Sequence, residues 1–237
     1  MSTLLMYLIA MLMVTNTSKE YVVHPLSRDI TINAKWDKSI WSKVPACNLE
    51  YFMGHRPSHI PNVEFKLLYD PESIYVIFKV VDQYVRASSR GYQSAVCQDS
   101  CVEFFFTPQQ DVGSGYFNLE TNCGGTILMY HQVSRNYCSK ELSDNDLDQI
   151  QIASSLPKLI TKEITQPVTW TLEYKLPFSI LAKYTEVITP ARGVEWKANF
   201  YKCADRSSHP HWLTWSIVDL PKPDFHRPEF FGTLIFC

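Results

Sequence analysis

The chain has 237 residues, enough for one sizeable core, and its 46% hydrophobic and 14% aromatic content excludes general disorder. Formal net charge is −2 with no run of Lys or Arg, which argues against nucleic acid and against an anionic membrane surface as partners.

In chain order, the first feature is the apolar run Leu4 to Val14. It is shorter than the roughly 20 residues of a membrane span and has the length of a signal peptide's apolar region. Residues 1–18 are therefore expected to be a signal peptide and the protein to be secreted or periplasmic. No Lys or Arg precedes the run, however, and no A-x-A-like site follows it.

Strand patterns come next. Glu64 to Tyr69 and Ser73 to Val81 are separated by Asp70-Pro71-Glu72, a turn with Pro at a favoured position. Ser100 to Thr107 follows, then Gly115 to Gln132, two alternating runs joined by Gly124-Gly125. That pair signals a two-residue hairpin, since primed turns need positive φ at both central residues. Further strands are expected at Val168 to Leu176, Val194 to Cys203 and Gly232 to Phe236. Helical periodicity is confined to Phe178–Tyr184, after Pro177, and to Leu142–Gln149, within the polar, acidic loop Arg135–Ile150. Many strands at short spacing with almost no crossover helix predict an all-β fold: an antiparallel β-sandwich, jelly-roll or immunoglobulin-like, with one or two short helices, as a single domain from about residue 22 to 237.

Alternation sorts the faces. Phe117, Leu119 and Thr121 point one way, and Tyr116, Asn118, Glu120 and Asn122 the other. Glu103 lies opposite Val102, Phe104 and Phe106, while Glu195, Lys197, Asn199 and Tyr201 lie opposite Trp196, Ala198 and Phe200. In Val168–Leu176, Trp170, Leu172, Tyr174 and Leu176 face inward and Thr169, Thr171, Glu173 and Lys175 outward. If these strands are neighbours, one outer sheet face carries a polar patch around Glu103, Glu120 and Asn199, a pattern that a plain solvated face shares. Towards the C-terminus, Trp212, Trp215, Phe225, His226 and Arg227 sit among Pro210, Pro221, Pro223 and Pro228. Prolines leave the backbone few conformations, so a ring displayed there loses little entropy on binding. Trp215 reads as core, and Phe225, His226 and Arg227 as loop-borne contacts. Amides and carboxylates suit sugar hydroxyls, and aromatic faces suit the flat C–H side of a pyranose.

Other chemistries are weaker. His209, His211 and His226 lack the spacing of a third metal ligand. Asp99, Glu103 and Glu120 could serve as a glycosidase pair only at the right separation. Met53, Met129 and His131 are candidate haem ligands that sequence does not pair. Seven cysteines cannot all pair within one chain; buried free thiols with one or two bridges are expected. Cys97-x3-Cys101 has no matching second pair, so zinc is not expected.

The segments ITINAKWDKSIWSKVPA, FKLLYDPESIYVIFKVVD, QDSCVEFFF, YFNLETN and PEFFGTLIF, in that order from about Ile30 to Phe236, resemble the family 9 carbohydrate-binding modules, sandwich domains of the DOMON-like group found appended to xylanases and in stand-alone secreted proteins. The resemblance implies a non-catalytic module binding polysaccharide or oligosaccharide ends in carbohydrate catabolism, with a glycoside hydrolase or its associated subunit as the alternative, and haem binding or protein–protein adhesion behind them. It also implies structural calcium, for which no ligands are assigned. In the family's sugar-binding members two tryptophans sandwich the terminal sugar. Their positions fall here at Val96 or Cys97, with Tyr92 the nearest ring, and at Phe225, so one face of the clamp is missing and the other reduced. Losing one ring should remove about 1–3 kcal/mol, or one to two decades of affinity. The family's acidic contact falls on Glu103 and its next-strand polar contacts on Asn118 and Glu120. Residues and resemblance together nominate Glu103, Asn118, Glu120, Asn199, Tyr201, Phe225, His226 and Arg227 as the carbohydrate-binding set, with no catalytic residue.

Overall fold

Two curled sheets pack face to face. A computed structural model describes residues 19–135 and 139–237; the expected signal peptide, residues 1–18, lies outside the described residues. The first sheet runs Lys140–Glu141, Ile127–Gln132, Tyr116–Asn122, Cys101–Thr107, Glu195–Cys203, Gly232–Phe236, with Trp212–Thr214 paired to the far end of Glu195–Cys203. The second runs Asn62–Tyr69, Ser73–Asp82, Val168–Pro177, Gln151–Ser154. Glu20–Pro25, which sequence patterning does not reveal, joins the two: it pairs in parallel with Gly232–Phe236 and, at its end, with Asn62–Tyr69. Among the described residues, helix is limited to Asp144–Leu147 and Phe178–Leu181 and a few 3-10 turns. No helix among the described residues is long and apolar enough to cross a membrane.

The period-2 alternation produces this layering. Phe104, Phe106, Phe117, Leu119, Trp196 and Phe200 from one sheet meet Phe65, Phe78, Trp170, Leu172 and Tyr174 from the other. Phe65 stacks on Phe200 with ring centroids 3.8 Å apart, and Trp215, as expected, is core, edge-on to both.

The hairpin after Tyr116–Asn122 departs from expectation. Only Gly125 has positive φ, and four residues, not two, separate the strands. Asn122 closes the connection with Oδ1, which accepts from the backbone N–H of Gly124 and Thr126. Gly124 is needed for space, because a Cβ there would lie 2.3 Å from the Lys158 carbonyl oxygen.

Both outer faces are covered. Residues 26–44 lie over the second sheet, where fully buried Glu173 accepts hydrogen bonds from the Asn33 and Ala34 amides, from Trp41 Nε1 and from the Lys38 ammonium. The face expected to hold Glu173 in solvent is thereby a second interior. The C-terminal segment 214–231 covers part of the first sheet's outer face, and the functional site lies where that cover ends.

Candidate functional site

Three neighbouring strands make the floor. Glu103 stands directly opposite Glu120 on one side and Tyr201 on the other, with Phe105 opposite Asn118 and Asn199. Asn118 in turn faces Tyr130, and Glu120 faces Leu128. Over this floor the segment carrying Pro223, Asp224, Phe225 and His226 forms one wall, and Trp212 and Asp205 stand at its end. The result is a cleft of two adjoining lobes, about 210 and 320 Å³, that share Cys97, Glu120, Arg135 and His226.

The polar groups are wired together. Asn118 Nδ2 donates to Glu120 Oε1 at 2.9 Å, and Gln132 Nε2 donates to Asn118 Oδ1 at 2.9 Å. His226 Nδ1 is met by the Tyr116 hydroxyl at 2.9 Å and by the Gln132 amide at 3.3 Å, so its proton sits on Nε2. Trp212 Nε1 donates to Asp205 at 2.8 Å, and Arg135 pairs with Asp224.

Burial sets the charge state. Glu120 is 6% exposed and its carboxyl is pushed up to about 7 by desolvation. Glu103, 2% exposed, is raised well above the carboxylate range by burial and then by Glu120. Among the described residues no Lys, Arg or His lies within ion-pair distance of either. Burial, then the Arg135 charge, lowers His226 to about 4. Its folded value lies below the unfolded one, so the unfolded chain takes up the proton first, and this group's contribution to stability is lost as pH falls from about 6.5 towards 4. In an NMR titration the His226 Cε1 proton should therefore have its midpoint near 4; a midpoint near 6.5 would mean a solvated ring.

The expected residues divide into three groups. Glu103, Glu120, Phe225 and His226 line the first lobe, and Asn118 lines the second. Asn199 and Tyr201, expected on an open polar face, are fully buried instead. Asn199 clamps Ser216 through both its backbone groups, and Tyr201 donates from its hydroxyl to the Phe225 carbonyl at 3.1 Å; the covering segment claims their polar atoms. Arg227 does not line the cleft and pairs with Glu229. Phe225 is less displayed than its proline-rich setting suggests: it is 9% exposed and lies flat on Tyr201 with centroids 4.1 Å apart. Phe225→Ala should thus lower the melting temperature by several degrees as well as opening the cleft wall; an unchanged melting curve would contradict this packing.

Other groups were not singled out from sequence. Trp212, noted but not assigned, lies in the cleft, as do Arg135, Asp205, Asp224, Tyr130 and Gln132. The outward alternation of Ile127–Gln132 was the signal for Tyr130 and Gln132; the loop residues carry no periodic signal. Tyr92, nearest ring to the missing clamp position, bonds Asp148 and does not line the cleft, whereas Cys97 does. The haem candidates separate: Met53 and Met129 belong to different cores, and His131 packs on Phe117. His211 is buried against Lys202, not grouped with His226. All six cysteines among the described residues are free, so the expected bridges are absent there.

The sequence model of carbohydrate-binding family 9 matches residues 37–236. The chain belongs to this family. Its function is the family's, carbohydrate binding without catalysis. Among solved structures, a candidate carbohydrate-binding protein from Bacteroides uniformis is 29% identical, with a TM-score of 0.83 over 93% of this chain and all of that one. A family 9 module from Caldicellulosiruptor kristjanssonii, solved with cellotriose, is 15% identical with a TM-score of 0.59, covering 92% of this chain and 93% of its own. The same organism's module with glucose gives 16% and 0.58, over 92% and 96%. No curated protein matches.

The family 9 resemblance implies structural calcium, which takes six to eight oxygen ligands. Among the described residues the one cluster of three metal-ligating side chains is Cys101, Glu103 and Cys203, and two of its donors are sulfur. It does not fit calcium.

Proposed function

We propose that this family 9 module binds the end of a polysaccharide or oligosaccharide in the cleft between the Glu103–Glu120 floor and the wall of Phe225 and His226. The observation that carries the reading is convergence: two aromatic rings, Trp212 and Phe225, share one small cleft with a wired set of amide, carboxyl and imidazole groups. Lobes of this size match sites for small ligands rather than an open groove for a long chain, which favours chain ends. Trp212 offers the stacking surface, standing in for the ring absent at Cys97. Glu120, Asn118, Asp205 and His226 Nε2–H offer hydrogen bonds to hydroxyls; Glu103 supports from below. The proposal takes residues 22–237 as the binding module of an exported protein acting in carbohydrate catabolism.

Two neighbours hold glucose and cellotriose, which makes short β-glucans the first ligands to try. Isothermal titration and affinity electrophoresis with cello- and xylo-oligosaccharides, xylan, cellulose and mucin glycans should show retention on at least one, with reducing or non-reducing ends competing. Absence of binding across the panel would overturn the reading. Glu120→Gln keeps shape and the Asn118 contact while removing an acceptor, and should weaken binding about tenfold.

A further inference from the structure

We propose that Cys101, Cys203 and Glu103 form a thiolate–carboxylate site for a zinc ion in the floor of the cleft. The register makes the cluster. Cys101 and Cys203 are directly opposite on adjacent antiparallel strands, and Glu103, two residues beyond Cys101, projects from the same face. The three donor atoms all lie within 4.8 Å of one another, and Cys203 Sγ donates to Glu103 Oε1 at 3.1 Å. A tetrahedral zinc with Zn–S near 2.3 Å and Zn–O near 2.1 Å needs donor separations of about 3.6–3.8 Å, so small side-chain rotations suffice. Sequence spacing hid this site, because its two sulfurs come from strands a hundred residues apart.

All three side chains are buried, and Glu103 faces a second buried carboxyl, Glu120, across the strand pair. A dication held there supplies the positive charge that this pair of carboxyls lacks: two Zn–S bonds and one Zn–O bond form as two thiol protons and the carboxyl proton leave to solvent. Glu103 and Cys203 line the cleft, which gives the ion a way in and leaves the fourth position facing the ligand lobe. The nearby Lys202 ammonium points to the opposite face of its strand, where Asp82 matches its charge. Two sulfurs and one carboxylate select a borderline-soft ion over magnesium or calcium.

The test uses the full chain held reduced by a phosphine, without sugar, so that its result is separate from carbohydrate binding. Titration with Co²⁺ should give an intense sulfur-to-cobalt charge-transfer band saturating at one equivalent and abolished by Zn²⁺. Cys101→Ser with Cys203→Ser should lose the band and about 100-fold in Zn²⁺ affinity. Should that variant fail to fold by circular dichroism, the near-isosteric Glu103→Gln should keep the band but weaken Zn²⁺ at least tenfold. Cys97→Ser alters a thiol outside the three donors and leaves in place the backbone carbonyl that accepts from Cys203 Sγ at 3.5 Å, so it should bind Co²⁺ and Zn²⁺ as wild type does. Lack of a thiolate band in the wild type, its persistence without Cys101 and Cys203, or equal loss in Cys97→Ser would overturn the assignment.

Discussion

Asp82→Ala is expected to destabilise the protein by about 3–5 kcal/mol, a fall of roughly 6–20 °C in melting temperature for a chain of this size. Lys202 projects from its strand towards the other layer, and its side chain is fully buried, as is that of Asp82. The ammonium lies 3.4 Å from Asp82 Oδ2, donates to the Cys203 carbonyl, and meets His211 Nε2 at 2.7 Å, while His59 bonds Asp82 Oδ1 at 2.9 Å. Burial alone would raise Asp82, but Lys202, His59 and His211 outweigh it and hold the carboxyl below the usual range. Its stabilisation is thus fully present above the unfolded carboxylate value near 4 and is lost as pH falls below it. Removing the carboxylate strands a cation in the interior. The paired variant Asp82→Ala with Lys202→Met should recover much of the loss, because an apolar pair needs no compensation. Thermal melts of the three proteins decide it: no recovery in the double variant would mean that the cost lies in packing and not in the stranded charge.

Trp212→Ala is expected to weaken saccharide binding about 10- to 100-fold while moving the melting temperature by only a few degrees. The ring is half-buried at the end of the cleft, so truncation removes a stacking surface worth about 1–3 kcal/mol without emptying the main core. Trp212→Phe should fall between, keeping a ring but releasing Asp205 from its 2.8 Å bond. Titration calorimetry with the best oligosaccharide of the panel reads this directly; equal affinities for all three proteins would remove Trp212 from the site.

Much of this molecule follows from local pattern. The alternation in Tyr116–Asn122 separates Phe117 and Leu119 from Asn118 and Glu120, and the two sets do enter the core and the cleft respectively. Glu103 shows the same logic. Asn199 and Tyr201 alternate just as cleanly, yet end up sealed beneath residues 214–231, because alternation reports which side of a sheet a residue takes and is silent on what later covers that side. Phe225 shows the same limit: it lines the cleft, but prolines stiffen a loop whether it displays a ring fully or presses one face onto Tyr201.

The sequence by itself determined the strands, their inward faces and the family, since side-chain period and turn chemistry act over a few residues. Tertiary structure alone decided which outer faces stay open, that Glu20–Pro25 bridges the sheets, and that Cys101 and Cys203 come opposite each other. Those outcomes depend on contacts between segments many residues apart, where register and covering loops, not local propensity, fix the geometry.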